Sequence, residues 1–191
     1  QLVRAGLAER RRGAGTFVKS AREAVDLFTL SGTLSAFEGA GIELHLRLAK
    51  APCALTKAPK SAGPLAGHPV EHLVRLGSVD KRPVLLEELW LDSRVFPELH
   101  LLSLAHRSLS SLVAAHYRLV PNGGEQRLAV ATPPRGVARH LQLEAGESPL
   151  LVCRRLDFPQ APAALFANMW CVTSRVSLVQ PLQPPTPWSP S

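Results

Sequence analysis

The sequence predicts an α+β domain, a mostly antiparallel sheet with flanking helices, preceded by a small basic hairpin. Three observations predict it. Several runs alternate apolar and polar residues with period two, the connections between them are short, and only a few stretches carry helical spacing. The 191 residues are 46% hydrophobic, enough to bury a core, and 19% charged, which is not the composition of a disordered chain.

Taken in order, residues 2–8 read as the last turns of an amphipathic helix stopping near Gly6. Two short strand-like runs then flank Gly13 and Gly15, which can take the positive φ that a tight hairpin demands. Residues 19–30 read as a connector with helical character, and a second amphipathic segment spans 33–39, ending at Gly39 and Gly41. From Ile42 to Leu48 every second residue is apolar, as in a half-buried strand. Residues 56–69, rich in Pro, Gly and Lys, read as a loop. Strands follow at 70–77 and 83–90 around a turn at Asp80-Lys81-Arg82. Next come a helix at 108–117, a strand at 125–131, a helix at 134–141, and strands at 149–156, 162–171 and 174–179. The tail, 181–191, is Pro-rich and reads as extended or disordered.

The net charge of +7 is unevenly placed. Residues 1–20 carry five basic residues (Arg4, Arg10, Arg11, Arg12, Lys19) against Glu9, which is +4; the remainder, 17 basic against 14 acidic, carries +3. A basic terminus on a nearly balanced body predicts that the terminus meets a polyanion, or else is a solvated charge run. Cys53, Cys153 and Cys171 contain no CxxC pair and read as free thiols. His68 and His72 are separated by three residues in a segment holding Pro69 that is not helical, so neither a metal nor a cofactor is expected. No apolar run reaches the ~18 residues of a membrane-spanning helix, the start has no signal-peptide layout, and a cytoplasmic location is the default expectation.

Two regions carry a family resemblance. Leu2, Val3, Gly6 and Leu7, followed by Gly13-Ala14-Gly15-Thr16-Phe17-Val18, resemble the end of the winged helix-turn-helix of GntR-type transcription regulators. The rest resembles the UTRA effector-binding domain of the HutC subfamily. Arg75-Leu76, Asp80, Pro83 and Glu87 are similar to its R-L-R-x-x-D-G-x-P-x-x-x-E stretch, and Phe96-Pro97-Glu98-Leu99 to its fP-x-L turn. Ser108-Leu109 with Tyr117 is similar to its SLY helix. Arg139-His140-Leu141 with Gly146-Glu147-Ser148-Pro149-Leu150-Leu151 is similar to its A-x-x-L…g-x-p-l-L stretch, and Arg175-Val176 to the start of its last strand.

The resemblance implies four regions: a winged-helix remnant at 1–18, a linker at 19–29, a UTRA domain of chorismate-lyase-like fold at 30–180, and the tail. It implies a homodimeric regulator that binds operator DNA through its N-terminal domain. Arg10, Arg11, Arg12, Gly13, Gly15 and Thr16 would form the wing, and phosphate contacts of that kind set affinity and register rather than sequence preference. In the effector domain the resemblance implies Arg75 as an anion-gripping guanidinium. Glu87 is expected as a hydroxyl acceptor or Arg75's cross-strand partner. Ser108 opens a helix as an anion donor or a plain N-cap, Ser110 stands where the motif has tyrosine, and Trp170 closes the pocket or fills the core. Known effectors of such domains are phosphosugars, urocanate or histidine, and other small acids. Three departures from the pattern, Gly77 in place of a second arginine, Ser110 for tyrosine and Ala164 for a sugar-reading glutamate, predict a smaller or more apolar effector with one acidic group. Two alternatives remain at this level: an enzyme of the chorismate-lyase type, and a dimerisation module with a vestigial pocket.

Overall fold

Asp80 and Lys81, at φ 48° and 64°, make the tight two-residue turn whose twist matches the strands it joins. It closes the central hairpin of the molecule, β5 (Val70–Val79) and β6 (Arg82–Asp92). The structure, a computed structural model, describes residues 8–11, 15–18, 24–27, 30–104 and 107–180. Around the hairpin a six-stranded antiparallel sheet forms in the order β4-β5-β6-β9-β8-β7. The other strands are β4 (His45–Leu55), β7 (Gly123–Val130), β8 (Leu150–Phe158) and β9 (Ala161–Cys171). Three α-helices accompany it: α1 (Thr33–Gly39), α2 (Leu109–Tyr117) and α3 (Arg135–Leu141).

Both faces of the sheet are covered, so its central strands are buried almost throughout. On the front face, Leu73, Leu89 and Leu165 pack with Leu109, Leu112 and Val113 of α2, while Leu85, Met169 and Cys171 pack with Phe37 of α1. On the reverse face, Leu76, Leu86 and Trp170 pack with Leu141 at the end of α3, and Trp90 packs with Ala62 and Leu65. Period-two alternation of side chains sorts these sets.

The basic hairpin forms as expected, with β1 (Ala8–Arg11) antiparallel to β2 (Gly15–Val18), Arg10 opposite Thr16 and Arg11 opposite Gly15. Arg12 and Gly13, the helix end before Ala8, and the tail beyond residue 180 lie outside the described residues.

Several elements differ from expectation. Within the stretch read as a helical connector, β3 (Ala24–Val25) pairs in parallel with β10 (Ser177–Leu178). Val25 and Leu27, 0% and 1% exposed, are core residues, so burial of two apolar side chains overrides a weak helical preference. Alternating burial begins at Ile42 as predicted, but the strand itself begins at His45 and continues through two register irregularities to Leu55. The loop at 56–69 holds 3₁₀ turns over Lys60–Leu65 that bury Ala62 and Leu65. The expected strand at 174–179 is a turn closed by Val176 N–H on the Val172 carbonyl, followed only by the short β10.

Candidate functional site

Arg75 and Glu87 are direct cross-strand partners on β5 and β6. Both point to the front face, with side chains 5% and 3% exposed. Arg75 Nη2 and Nε donate to Glu87 Oε2 at 2.6 and 3.1 Å, and Nη1 donates to the Arg107 carbonyl at 3.3 Å. The other oxygen of Glu87 accepts from the Thr33 hydroxyl. Of the two roles expected for Glu87, pairing with Arg75 is therefore the one realised, and each nitrogen of that guanidinium already has an acceptor.

The serines are similarly occupied. Ser108 caps α2, its hydroxyl oxygen accepting from Ser111 N–H at 3.2 Å. Ser110 donates to the Ser31 carbonyl at 2.7 Å, so the 2.8 Å contact between the two hydroxyls has Ser108 as donor. Both hydroxyl protons hold structure. What remains at the start of α2 are the backbone N–H groups of Leu109 and Ser110, which have no carbonyl within the helix to bond.

A cavity opens between these groups, at the seam of the two front-face clusters. Arg75, Glu87, Ser108 and Ser110 line it, as do Gly32, Thr33 and Arg154. Leu89, Leu109, Val113, Leu165 and Met169 make most of its wall apolar. It offers about 60 Å³ to the centres of water-sized molecules, room for about four to six of them, so its occupant is small.

Arg154, on β8, is absent from the sequence-based set and is the outstanding charge of the site. It is 7% exposed. Nε donates to Gln126 Oε1 at 2.8 Å and Nη2 to the Leu27 carbonyl, both neutral acceptors, and among the described residues no carboxylate pairs with it directly. Burial pulls its pKa down from the ordinary arginine value, and the charge of Glu87 only partly resists. The cavity wall thus holds two guanidinium groups against one carboxylate, a net of one positive charge in a poorly solvated place. The nearby Cys171 thiol is pushed up to about 12 by its complete burial.

Trp170 and Ala164 lie away from the cavity, and the departure at Gly77 has a steric reason. Trp170 does not close the cavity. It sits on the reverse face against Leu76, Leu86 and Leu141, and its neighbour Met169 takes the front. Gly77 cannot stand in for an arginine, because a Cβ there would lie 2.9 Å from Leu85 and 3.0 Å from Leu44. Ala164 is buried in the front cluster but does not line the cavity.

Residues 30–34 form one side of the cavity, and they and Leu27 are tied to three of its walls. Leu27 is held by Arg154, Ser31 by Ser110, and Thr33 by Glu87. Gly32, at φ 90°, passes so close to Ser110 that an added Cβ would lie 2.8 Å from its hydroxyl oxygen. No local sequence pattern announces this strap.

The sequence profile of the UTRA domain matches residues 60–176, more than half of the chain. The chain belongs to the UTRA domain family. The match bears out the expectation of a HutC-type effector domain of the GntR family. The fold agrees with solved structures of that kind. The crystal structure of PhnF from Mycobacterium smegmatis superposes with a TM-score of 0.75 at 22% identity, covering 95% of this chain and 80% of that one. The effector domain of the same protein gives 0.74 at 20% identity, covering 84% and 99%. The C-terminal domain of the histidine utilization repressor from Pseudomonas syringae pv. tomato gives 0.62 at 18%, covering 74% and 100%. No curated protein matches the chain. Within this UTRA domain the arginine expected to grip an anion is already paired with Glu87, while Arg154 on β8 has no direct carboxylate partner among the described residues.

Proposed function

We propose that this chain is the effector-sensing part of a cytoplasmic GntR-type transcription regulator, and that its cavity takes a small, largely apolar molecule with one negative charge. The observation that carries this reading is Arg154, a buried guanidinium on the wall of an apolar cavity with no direct carboxylate partner among the described residues. Leaving such a charge unpaired in a low-dielectric site costs several kcal/mol, which an anionic ligand offsets. The free N–H groups at the start of α2 add a second, weaker attraction for a carboxylate. Arg75, Glu87, Ser108 and Ser110 then shape the site rather than take the charge.

The strap supplies the coupling. A ligand contacting Arg154, Gly32 and Thr33 alters the bonds that hold Leu27, Ser31 and Thr33, and in sequence this stretch follows the basic hairpin at 8–18, here read as the remnant of a DNA-binding wing. Coupling requires that the ligand prefer one arrangement of the strap over another. Pairing of two copies through the open edge of β7, where Val130 is 80% and Leu128 44% exposed, would make the homodimer that reads paired half-sites.

Calorimetry with a panel of small monocarboxylates and phosphosugars tests the assignment. The expected result is saturable binding of one or more monocarboxylates, lost in Arg154→Met. Tight binding of a phosphosugar, or carboxylate binding unchanged in Arg154→Met, refutes it. A cavity that binds no anion at all would favour a dimerisation module with a vestigial pocket.

A further inference from the structure

On the reverse face of the sheet, away from the cavity, a thiol, an imidazole and a carboxylate stand in line. Cys53 on β4 is the register partner of His72 on β5, and a β-bulge between Lys50 and Cys53 sets that pairing. Cys53 Sγ lies 4.0 Å from His72 Nδ1, and His72 Nε2 lies 2.9 Å from Glu88 Oε1. An ionised carboxylate can only accept, so Nε2 carries the hydrogen, and in the neutral ring Nδ1 is left as a bare lone pair facing the sulfur. The ring is fixed from its flat side by Trp90, stacked with centroids 5.6 Å apart and planes 23° from parallel. His72 is 6% exposed, while Cys53 is half-buried and reachable from solvent.

This is the order of parts that activates a nucleophile: a sulfur, a base within reach, and a third group that orients the base. The other thiols lack it. Cys153 is half-buried like Cys53, but its neighbour is the Arg127 guanidinium and burial raises its pKa. Cys171 is fully buried.

We propose that Cys53 is a modification site for soft carbon electrophiles of the α,β-unsaturated carbonyl class, with His72 as the base and Glu88 as the group that positions it. The sulfur attacks the β-carbon. The S–H bond breaks, its proton moves to His72 Nδ1, and an S–C bond forms. The π pair shifts to the α-carbon, which takes up the proton that His72 releases. No oxidant, reductant or leaving group is required. The site is independent of the effector cavity, so either can fail without the other.

The test is site-resolved alkylation of the whole folded chain by limiting N-ethylmaleimide, read by peptide mass spectrometry. Cys53 and Cys153 are similarly exposed, so Cys153 is an internal reference. The expected result is that Cys53 reacts roughly tenfold faster or more, short of the ~10²-fold that a fully positioned base supplies because the sulfur and Nδ1 are 4.0 Å apart. His72→Gln should remove that advantage, and Glu88→Leu should reduce it, with the Cys153 rate unchanged in both. Should His72→Gln fail to fold, Glu88→Leu decides, since Glu88 is itself 38% exposed and only the His72 Nε2–H loses its acceptor. Equal rates for Cys53 and Cys153 overturn the proposal, as does a folded Glu88→Leu variant that alkylates at the parental rate.

Discussion

The arrangement of charges on the front face makes one strong prediction, about the Arg75–Glu87 pair. Arg75→Met removes three hydrogen bonds and leaves Glu87, with a side chain 3% exposed, holding only the Thr33 hydroxyl and the influence of Arg154. Breaking a buried ion pair from one side costs about 3–5 kcal/mol. For a domain of this size each kcal/mol moves the midpoint by about 2–4 °C, so a fall of about 6–20 °C is expected in a thermal melt. The double variant Arg75→Met with Glu87→Leu removes both charges together. Replacing such a pair by apolar groups is often neutral or stabilising by about 1–4 kcal/mol. One buried partner is then stranded, the Thr33 hydroxyl, at about 1–3 kcal/mol, while the Arg107 carbonyl belongs to an exposed residue. The two effects nearly cancel, and the double variant should melt within about 2 kcal/mol of the parent.

The same pair of variants tests the functional reading. The double substitution subtracts one positive and one negative charge, so the net charge of the cavity wall is unchanged. If Arg154 takes the anion, the double variant keeps its affinity for monocarboxylates within about tenfold, or ~1.4 kcal/mol. If Arg75 is the gripping residue, binding disappears with it. A single variant that loses less than about 1 kcal/mol would show that the pair is screened by solvent, and the reasoning about the cavity's dielectric would fail with it.

Other perturbations follow from the same geometry. Gly77→Arg, which would restore the second arginine of the R-L-R motif, forces a Cβ against Leu85 and Leu44; overpacking of this sort costs about 1–3 kcal/mol, and an unchanged urea midpoint would contradict it. Trp170→Ala should cost about 3–5 kcal/mol in the same assay while leaving monocarboxylate affinity within threefold or so (~0.7 kcal/mol), because the ring faces away from the cavity. A larger loss of affinity would put the ring on the wrong face. The Glu147 carboxyl is held below its ordinary value of 4.5, first by the Ser174 hydroxyl, then by the Glu144 N–H and Arg175. A group depressed on folding contributes stability above its unfolded value and loses it as the pH falls through the folded one. Acid titration of the melting midpoint should therefore show a decline below about pH 4.5 that is shallower in Glu147→Gln; identical slopes would refute the assignment.

The elements that sequence reading places well are those with local chemistry. Asp80-Lys81 makes a hairpin turn, Ser108 caps a helix, and alternation marks the buried side of 42–48. What it misplaces depends on parity. In β9 the choice between Met169 and Trp170 for the cavity follows from how the β8–β9 connection is closed. There Gln160 and Ala163 take positive φ, at 59° and 53°, and the pairing shifts register between Leu156 and Phe158. A one-residue change in such a connection turns every side chain of the strand over. The doublet Arg154-Arg155 has the same ambiguity: one guanidinium enters the core and the other, 37% exposed, pairs with Asp157, and nothing in the two letters says which. The strap is invisible for a further reason. Its ties to Glu87, Ser110 and Arg154 span 54, 79 and 127 residues, and no pattern of local spacing records contacts that long.

Arg154 also separates the two readings of the cavity that the sequence leaves open. A module built only to pair with its own copy has no need of a charge in that wall. A leucine there would add to the apolar wall and avoid a desolvation cost that two neutral oxygen acceptors do not cancel. The serines and Arg75, by contrast, are accounted for by the fold itself, since each has structural partners that it would need in an empty cavity. One cationic group exceeds what the architecture requires, and it lies beside the strap that leads to the basic hairpin. A ligand that neutralises Arg154 acts on the Leu27 carbonyl at the same stroke, because that carbonyl is one of the two acceptors such a ligand would replace.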